Sequence, residues 1–339
     1  MNGESAASDN WGIIGQDWAV GLLRRSLLNG RQRHAYLITG APSLGKRALA
    51  QAFAKALNCE DADIAGRPCG ECRACRAIGR GNDPDLIVAA GEDGAPLKID
   101  AVREVSRLLA LKPYAARYRI AIFEDFELVA PLAQDALLKT LEEPAAKAVM
   151  IVLASADERV LPTIRSRAQL VPLRPAPLEV IKTALVERGC AEERADLIAR
   201  LSGGRTGWAL DALRDEALLA FRREMLDTLR DIVAGGRLAR IKAAEELSKR
   251  VGRDKAAIRD ILEIWLTYWR DVTLQCHECP VKLCNSDRAG EIRALAARIS
   301  AGDARDALRA TLSTIDALAT NANLRLALDA LLLDYPGLE

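Results

Sequence analysis

Gly40-Ala-Pro-Ser-Leu-Gly45-Lys46-Arg47 decides how the rest of this chain is read. A phosphate-binding loop has the form G-x-x-x-x-G-K followed by Ser or Thr. Its glycines let backbone N–H groups turn inward around phosphate oxygens, the lysine neutralises the terminal phosphates, and the hydroxyl ligates magnesium. Every part of the pattern is present except the hydroxyl, whose place is taken by the cation Arg47. The loop follows Ala35-Tyr-Leu-Ile-Thr39, which reads as a buried strand, and opens a helix expected over Arg47–Leu57. The dipole at that helix start also favours an anion. The context predicts a nucleotide-binding fold, with Gly40, Gly45, Lys46 and Arg47 as cofactor-binding residues and ATP or ADP as the cofactor. The missing hydroxyl predicts a nucleotide binder rather than a hydrolase.

Working outward, the first half of the chain alternates apolar runs with helical patterns. The runs Ala35–Thr39, Leu86–Ala89, Arg119–Phe123, Val149–Ala154 and Gln169–Leu173 are almost continuously apolar. That is expected of central strands in a parallel sheet covered on both faces. Between them a helix is expected over Leu132–Glu143, stopped by Pro144. The fold class is therefore α/β, a doubly wound parallel sheet. After Pro175-Ala-Pro177 the strand signal ends. Two short helices, Leu178–Arg188 and Ala191–Leu201, lead to Gly203-Gly204, and a bundle of five or six helices follows, broken at Gly235-Gly236, near Gly252, at Cys279–Ser286 and at Gly302. The expected domains are 1–173 for nucleotide binding, 174–212 as a helical lid and 213–339 as an all-α bundle.

Four cysteines interrupt the first domain as Cys59-x9-Cys69-Gly-Glu-Cys72-Arg-Ala-Cys75. Two consecutive C-x-x-C steps let a short loop wrap one ion, and four thiolates suit tetrahedral zinc. A closed four-cysteine set reads as structural zinc, because catalytic zinc keeps an open position. The alternative is four unrelated buried cysteines. The 48 basic and 47 acidic residues nearly cancel, which disfavours a strongly basic nucleic-acid binder. No run of about 18 uncharged apolar residues suggests a membrane span. The polar start Met1–Asn10 is unlike a secretory signal, so a cytoplasmic location is expected, where thiols stay reduced.

Two further groups carry chemistry beside a phosphate loop. Arg119-Ile-Ala-Ile-Phe123 ends in Glu124-Asp125. Acids at the end of a core strand normally hold magnesium and polarise the attacking water. Glu124 leads the pair where aspartate is usual, so its oxygens are displaced by one methylene. The bland alternative is a solvated strand end. Leu161-Pro-Thr163-Ile-Arg165-Ser166-Arg167 places two arginines ahead of the last strand. They are either solvated surface cations or an arginine finger acting on a neighbouring subunit, a device worth roughly 10³–10⁵ in rate.

Taken together, these elements resemble the bacterial clamp-loader branch of the AAA+ ATPases. The resemblance runs from Ile13-Ile-Gly15-Gln16 and His34-Ala35-Tyr36 through the loop and the cysteines. It continues with Ala133-Gln-Asp-Ala-Leu-Leu-Lys-Thr-Leu-Glu-Glu-Pro144 and ends at Thr163–Arg167. It implies a RecA-like AAA+ domain with a zinc module, a lid and a helical collar, in a five-subunit ring with gamma/tau and delta subunits. Through that ring the sliding clamp and primed DNA become partners. Arg167 would be the trans finger in the family's Ser-Arg-Cys motif, with Ala168 in place of the cysteine. Ser155 would stand at sensor 1, and Trp208 or Arg205 near sensor 2. Glu124 and Asp125 would be a degenerate Walker B pair.

Three changed features, in the loop hydroxyl, the acidic pair and the sensor arginine, point to a non-motor assembly subunit. An active gamma/tau-type motor and a stand-alone zinc-dependent nucleic-acid binder are the competing functions. Cys276-His277-Glu-Cys279-x4-Cys284 allows a second metal site, against a loop with incidental thiols. Trp265, Tyr268 and Trp269 read as bundle core, and Arg222–Arg230 as a solvated helix face.

Overall fold

The computed structural model describes residues 10–91, 95–252, 254–319 and 322–337. It divides into two compact units, Met1–Ala184 with Gly204–Trp208, and Leu185–Gly203 with Ala209–Glu339.

The first unit is built on five parallel strands: β1 Ala35–Thr39, β2 Leu86–Ala89, β3 Arg119–Phe123, β4 Ala148–Ala154 and β5 Gln169–Pro172. Their order is β2-β3-β4-β1-β5. In register, Leu37 of β1 lies opposite Val152 of β4 and Leu170 of β5. The strand period of two sends Tyr36 and Ile38 to one core and Ala35 and Leu37 to the other. The first core is completed by residues of helices Asp17–Leu28 and Lys46–Asn58, the second by residues of Ile99–Leu109 and the Pro131–Glu142 region. Strands β1 and β4 are buried throughout. The edge strands are not central: Val88 is 40% and Leu170 44% exposed. An apolar run alone cannot distinguish an edge from a centre.

The helix expected over Leu132–Glu143 is two pieces, Pro131–Asp135 and Leu138–Glu142. Between them the chain tightens to an i→i−3 bond, Leu137 N to Gln134 O at 3.0 Å. The buried Gln134 amide donates to Val129 O at 2.8 Å and accepts from Leu161 N at 2.9 Å, which ties this bend to the loop after β4. At the other end of the sheet, Asp85 is 1% exposed. Its carboxylate accepts the backbone N–H groups of Tyr114, Ala115 and Ala116 at 2.6, 2.8 and 2.9 Å. Burial pushes this acid up, but the three N–H bonds outweigh it and hold Asp85 below its ordinary value.

The second unit is helical. From Glu216 its helices are Glu216–Ala234, Arg237–Val251, Lys255–Cys276, Ala289–Ala296, Ala301–Ala319 and Leu324–Asp334. Trp265 and Trp269 are fully buried among them, as expected of bundle core. Two expectations are corrected here. Arg222 is not on a solvated face; it is 4% exposed, bonded to Asp287 at 2.7 and 2.9 Å and to Asn285 at 2.6 Å. Asn285 in turn donates to the buried carboxylate of Asp271 at 2.8 Å. The break expected at Gly302 lies before Ala301, and Gly302 is inside the helix Ala301–Ala319. Ser300 and Asp303 cap the helix reciprocally, Asp303 N donating to Ser300 Oγ at 3.1 Å and Ser300 N to Asp303 Oδ2 at 3.0 Å.

Arg240, 4% exposed, fans its guanidinium over backbone carbonyls. Nε donates to Ile232 and Gly235, Nη2 to Val233 and Pro336, and Nη1 to Leu332 and Tyr335. A buried guanidinium has five N–H groups to satisfy, and this helix junction and chain end supply the acceptors.

Candidate functional site: a phosphate loop with an internal counter-ion

The loop between β1 and helix Lys46–Asn58 takes the strained course its glycines allow. Gly40 has φ +143° and Gly45 φ +94°, where side-chain-bearing residues are rarely found. A Cβ on Gly40 would come within 2.9 Å of Leu173 O, so close packing also requires glycine there. Gly40 N donates to Ala154 O at 3.2 Å, which sets the loop beside the end of β4 and so beside Ser155. The Lys46 ammonium curls over the loop and donates to Gly40 O at 2.6 Å and Ala41 O at 3.0 Å. Burial pushes this amine below its ordinary value, while Glu127 and Asp125 pull it back up. Glycine-directed turn, lysine and helix start fit a phosphate chain.

They do not fit magnesium. Arg47 stands where the metal-holding hydroxyl belongs, and its Nε lies 2.9 Å from Glu124 Oε1, on the acid expected to hold the metal. The contact is an ion pair rather than a hydrogen bond, since Glu124 Oε1 is buried with no hydrogen-bond partner among the described residues. Burial pushes Glu124 above the usual carboxylate range, Asp125 adds to the rise, and Arg47 opposes it. Asp125, next to it, is exposed and sits in the left-handed region at φ +46°. The structure thus brings together Gly40, Gly45, Lys46, Arg47, Glu124 and Asp125, with the Arg47 guanidinium against Glu124.

One contact was not read from the sequence. The tip of the loop is held by Thr206 and Gly207, which follow it by more than 160 residues. Gly207 N donates to Ser43 O at 2.7 Å, and Thr206 Oγ1 to Leu44 O at 3.4 Å. A Cβ on Gly207 would meet Ser43 O at 2.9 Å. Beside them, the Arg205 guanidinium lies 6.0 Å from the Trp208 ring centre. The available signal was Gly203-Gly204 followed so soon by a third glycine.

Arg165 and Arg167 lie around the short helix Pro162–Arg165. Arg165 pairs with Asp157 at 2.8 Å. Arg167 donates to Thr163 O at 3.1 Å and to Glu142 Oε1 at 2.8 Å, with its side chain 37% exposed. Glu142 belongs to the Leu-Leu-Lys-Thr-Leu-Glu-Glu-Pro string, so two stretches singled out separately in the sequence meet here.

The four cysteines converge. One ligand atom from each of Cys59, Cys69, Cys72 and Cys75 lies within 4.8 Å of the others. Four thiolates about 2.3 Å from one zinc would sit about 3.8 Å apart, so the set needs little contraction to hold an ion. Successive N–H groups point at the sulfurs, from Cys69 to Cys59, Cys72 to Cys69 and Cys75 to Cys72, each at 3.4 Å. Backbone N–H groups of Cys72 and Glu71 bring the Cys69 thiol down to about 7, whereas burial pushes Cys59 and Cys75 up. The module is not autonomous: Ile78, on the helix Arg73–Gly79, packs into the core beneath Lys46–Asn58. The later cysteines behave differently. Cys276 Sγ donates to Ala296 O at 3.7 Å and Cys284 Sγ accepts from Arg270 at 3.3 Å; neither belongs to a candidate metal cluster among the described residues.

Comparison with known proteins places this geometry in context. Residues 15–177 match the family described as DNA polymerase III, delta subunit. The delta-prime subunit of DNA polymerase III from Pseudomonas aeruginosa is 38% identical over 186 residues, 53% of this chain and 56% of that one. The tau subunit of Bacillus subtilis is 35% identical over 159 residues, 46% of this chain and 27% of that one. The chain spans about half the length of the delta-prime relative it matches. A DNA polymerase III gamma subunit-related protein of Thermotoga maritima superposes with a TM-score of 0.47 at 17% identity, covering 92% of this chain and 97% of that one. Among the described residues no helix is long and apolar enough to cross a membrane.

Proposed function

From the resemblance to delta-prime subunits of bacterial DNA polymerase III, we propose that this chain is a clamp-loader subunit that does not fire its own nucleotide site. It works in the cytoplasm, in a ring with gamma/tau and delta subunits that places the sliding clamp on primed DNA. The observation that carries the reading is the Arg47–Glu124 ion pair, which fills the position where a motor subunit holds magnesium. The gamma/tau-type motor reading has the tau likeness in its favour, but it needs that position open.

In this reading each part has a role. Gly40, Gly45 and Lys46 cradle the phosphates of ATP or ADP, Arg47 neutralises them, and Ser155 stands beside them. Glu124 and Asp125 remain as a Walker B pair that no longer holds a metal. Cys59, Cys69, Cys72 and Cys75 hold structural zinc, which joins the insertion to the helix behind the loop. Arg167 leaves Glu142 to reach phosphate oxygens bound by the next subunit. Residues 174–212 act as the lid and 213–339 as the collar. Leu326, Ala330 and Leu333, exposed at helical spacing on Leu324–Asp334, give the collar an apolar stripe for a neighbour.

The test is ATP turnover by the chain alone and then mixed with gamma/tau and delta subunits. Alone it should show none that depends on magnesium. In the mixture, Arg167→Ala should lower turnover at the neighbouring subunit's site by about 10³-fold or more, and so depress that of the complex, while gel filtration still shows the complex. Brisk turnover by the lone chain, abolished by Lys46→Ala, would establish a motor instead.

A further inference from the structure

We infer that the phosphate loop takes a nucleoside di- or triphosphate without a divalent cation, Arg47 serving as a counter-ion built into the chain. This rests on the reading of the loop as a non-firing site and names how that site holds its ligand.

The first support is occupancy by charge. In a metal-dependent loop, the residue after the lysine offers an oxygen to magnesium, and the strand-end acid holds the metal's water shell. Here the first position carries a positive side chain and the second is already ion-paired to it at 2.9 Å. A magnesium ion entering would face a guanidinium and compete with it for Glu124. Among the described residues, Arg47 faces Glu124, and Glu127 and Asp125 act on Lys46. With Arg47 paired to Glu124 and Lys46 bonded to Gly40 O and Ala41 O, both cations are held by the protein before any ligand arrives.

The second support is reach. The Arg47 side chain is 62% exposed although its Nε is fixed against Glu124, so the terminal nitrogens remain accessible to an anion. A planar guanidinium gives phosphate two parallel N–H donors, which a hydroxyl does not. The third support is a loop already in shape. Gly207 and Thr206 grip its tip and Lys46 closes over Gly40 and Ala41, so no metal is needed to organise it.

The experiment titrates a fluorescent ADP derivative into the full chain and reads polarisation, once with magnesium and once with EDTA. The expected result is binding in both, with affinities within about threefold of each other. Arg47→Thr restores the hydroxyl and removes the counter-ion. It should bind about tenfold more weakly in EDTA and recover in magnesium. Arg47→Gln should be weak in both, with thermal melting of each variant confirming that it is folded. Loss of wild-type binding by tenfold or more on adding EDTA would overturn the inference. Absence of binding in either buffer would overturn it too, yet leave the assembly role standing, because the Arg167 assay reads the neighbour's pocket rather than this one.

Discussion

The four-cysteine cluster and the phosphate loop are two ion sites in one structural unit, and they have met opposite fates. The cluster keeps all four donors, gathers their ligand atoms within 4.8 Å, and could hold an ion from outside. The loop keeps its glycines and lysine but has exchanged one oxygen for a guanidinium, and its acid is paired from within the chain. Substituting one side chain can thus change where a site finds its charge balance while leaving the backbone architecture whole. Asp85 is a third case, a buried charge satisfied by three N–H groups of its own chain.

The comparison can be broken most sharply at the cysteines. Cys75→Ser should abolish stoichiometric metal, measured by plasma emission, and cost on the order of 5 kcal/mol in urea unfolding. That is below the roughly 10–16 kcal/mol of small zinc modules because the Ile78 packing survives. A wild-type chain without metal, or a variant of unchanged stability, would sink the site. Next in size is Asp85→Ala, expected to cost about 3 kcal/mol at pH 7, since three donors lose a charged acceptor. Because Asp85 sits below its ordinary value, its contribution is full above the unfolded pKa of about 3.9. It is lost as the pH falls through the lower folded value. The difference between wild type and variant should therefore shrink in urea titrations repeated below pH 3; a constant difference would contradict the carboxylate's role.

Gly207→Ala should cost about 1–2 kcal/mol, because a new methyl must push Ser43 aside. It should also weaken nucleotide binding, with zinc content unchanged. If melting and binding both stay at wild-type values, the grip on the loop tip is not tight. The smallest effect belongs to Arg47→Ala. The ion pair is exposed on the Arg47 side only, 62% against 15% for Glu124, so denaturation should move by about 1 kcal/mol or less. A larger loss would mean that the guanidinium is a structural prop rather than a counter-ion.

Much of the first unit was legible because buried parallel strands announce themselves as apolar runs. β1, β2 and β3 begin and end where the sequence indicated. The cysteine spacing announced a cluster for a similar reason: short loops leave ligands few places to go. What could not be read were pairings set by tertiary distance. Nothing local to Arg47 shows that Glu124 will meet it, and nothing in Gly207 shows that Ser43 lies against it. Arg222 was misread because helical charge patterning reports a face but not its neighbours, and the partner, Asp287, comes from the short 3-10 helix Ser286–Arg288 far along the chain. The ending of the helix before Gly302 was misjudged because glycine was taken as the stop, whereas Ser300 and Asp303 already formed the start.

Arg240 carries a practical lesson for anyone shortening this polypeptide. Its guanidinium depends on the carbonyls of Leu332, Tyr335 and Pro336, so the final turn acts as a plug seated on a permanent cation. Trimming after Asp334 would remove the Tyr335 and Pro336 acceptors and leave part of a buried cation that cannot shed its proton without partners. An expression variant cut there should melt at a lower temperature than the full chain, even though every sheet residue and every cysteine remains in place.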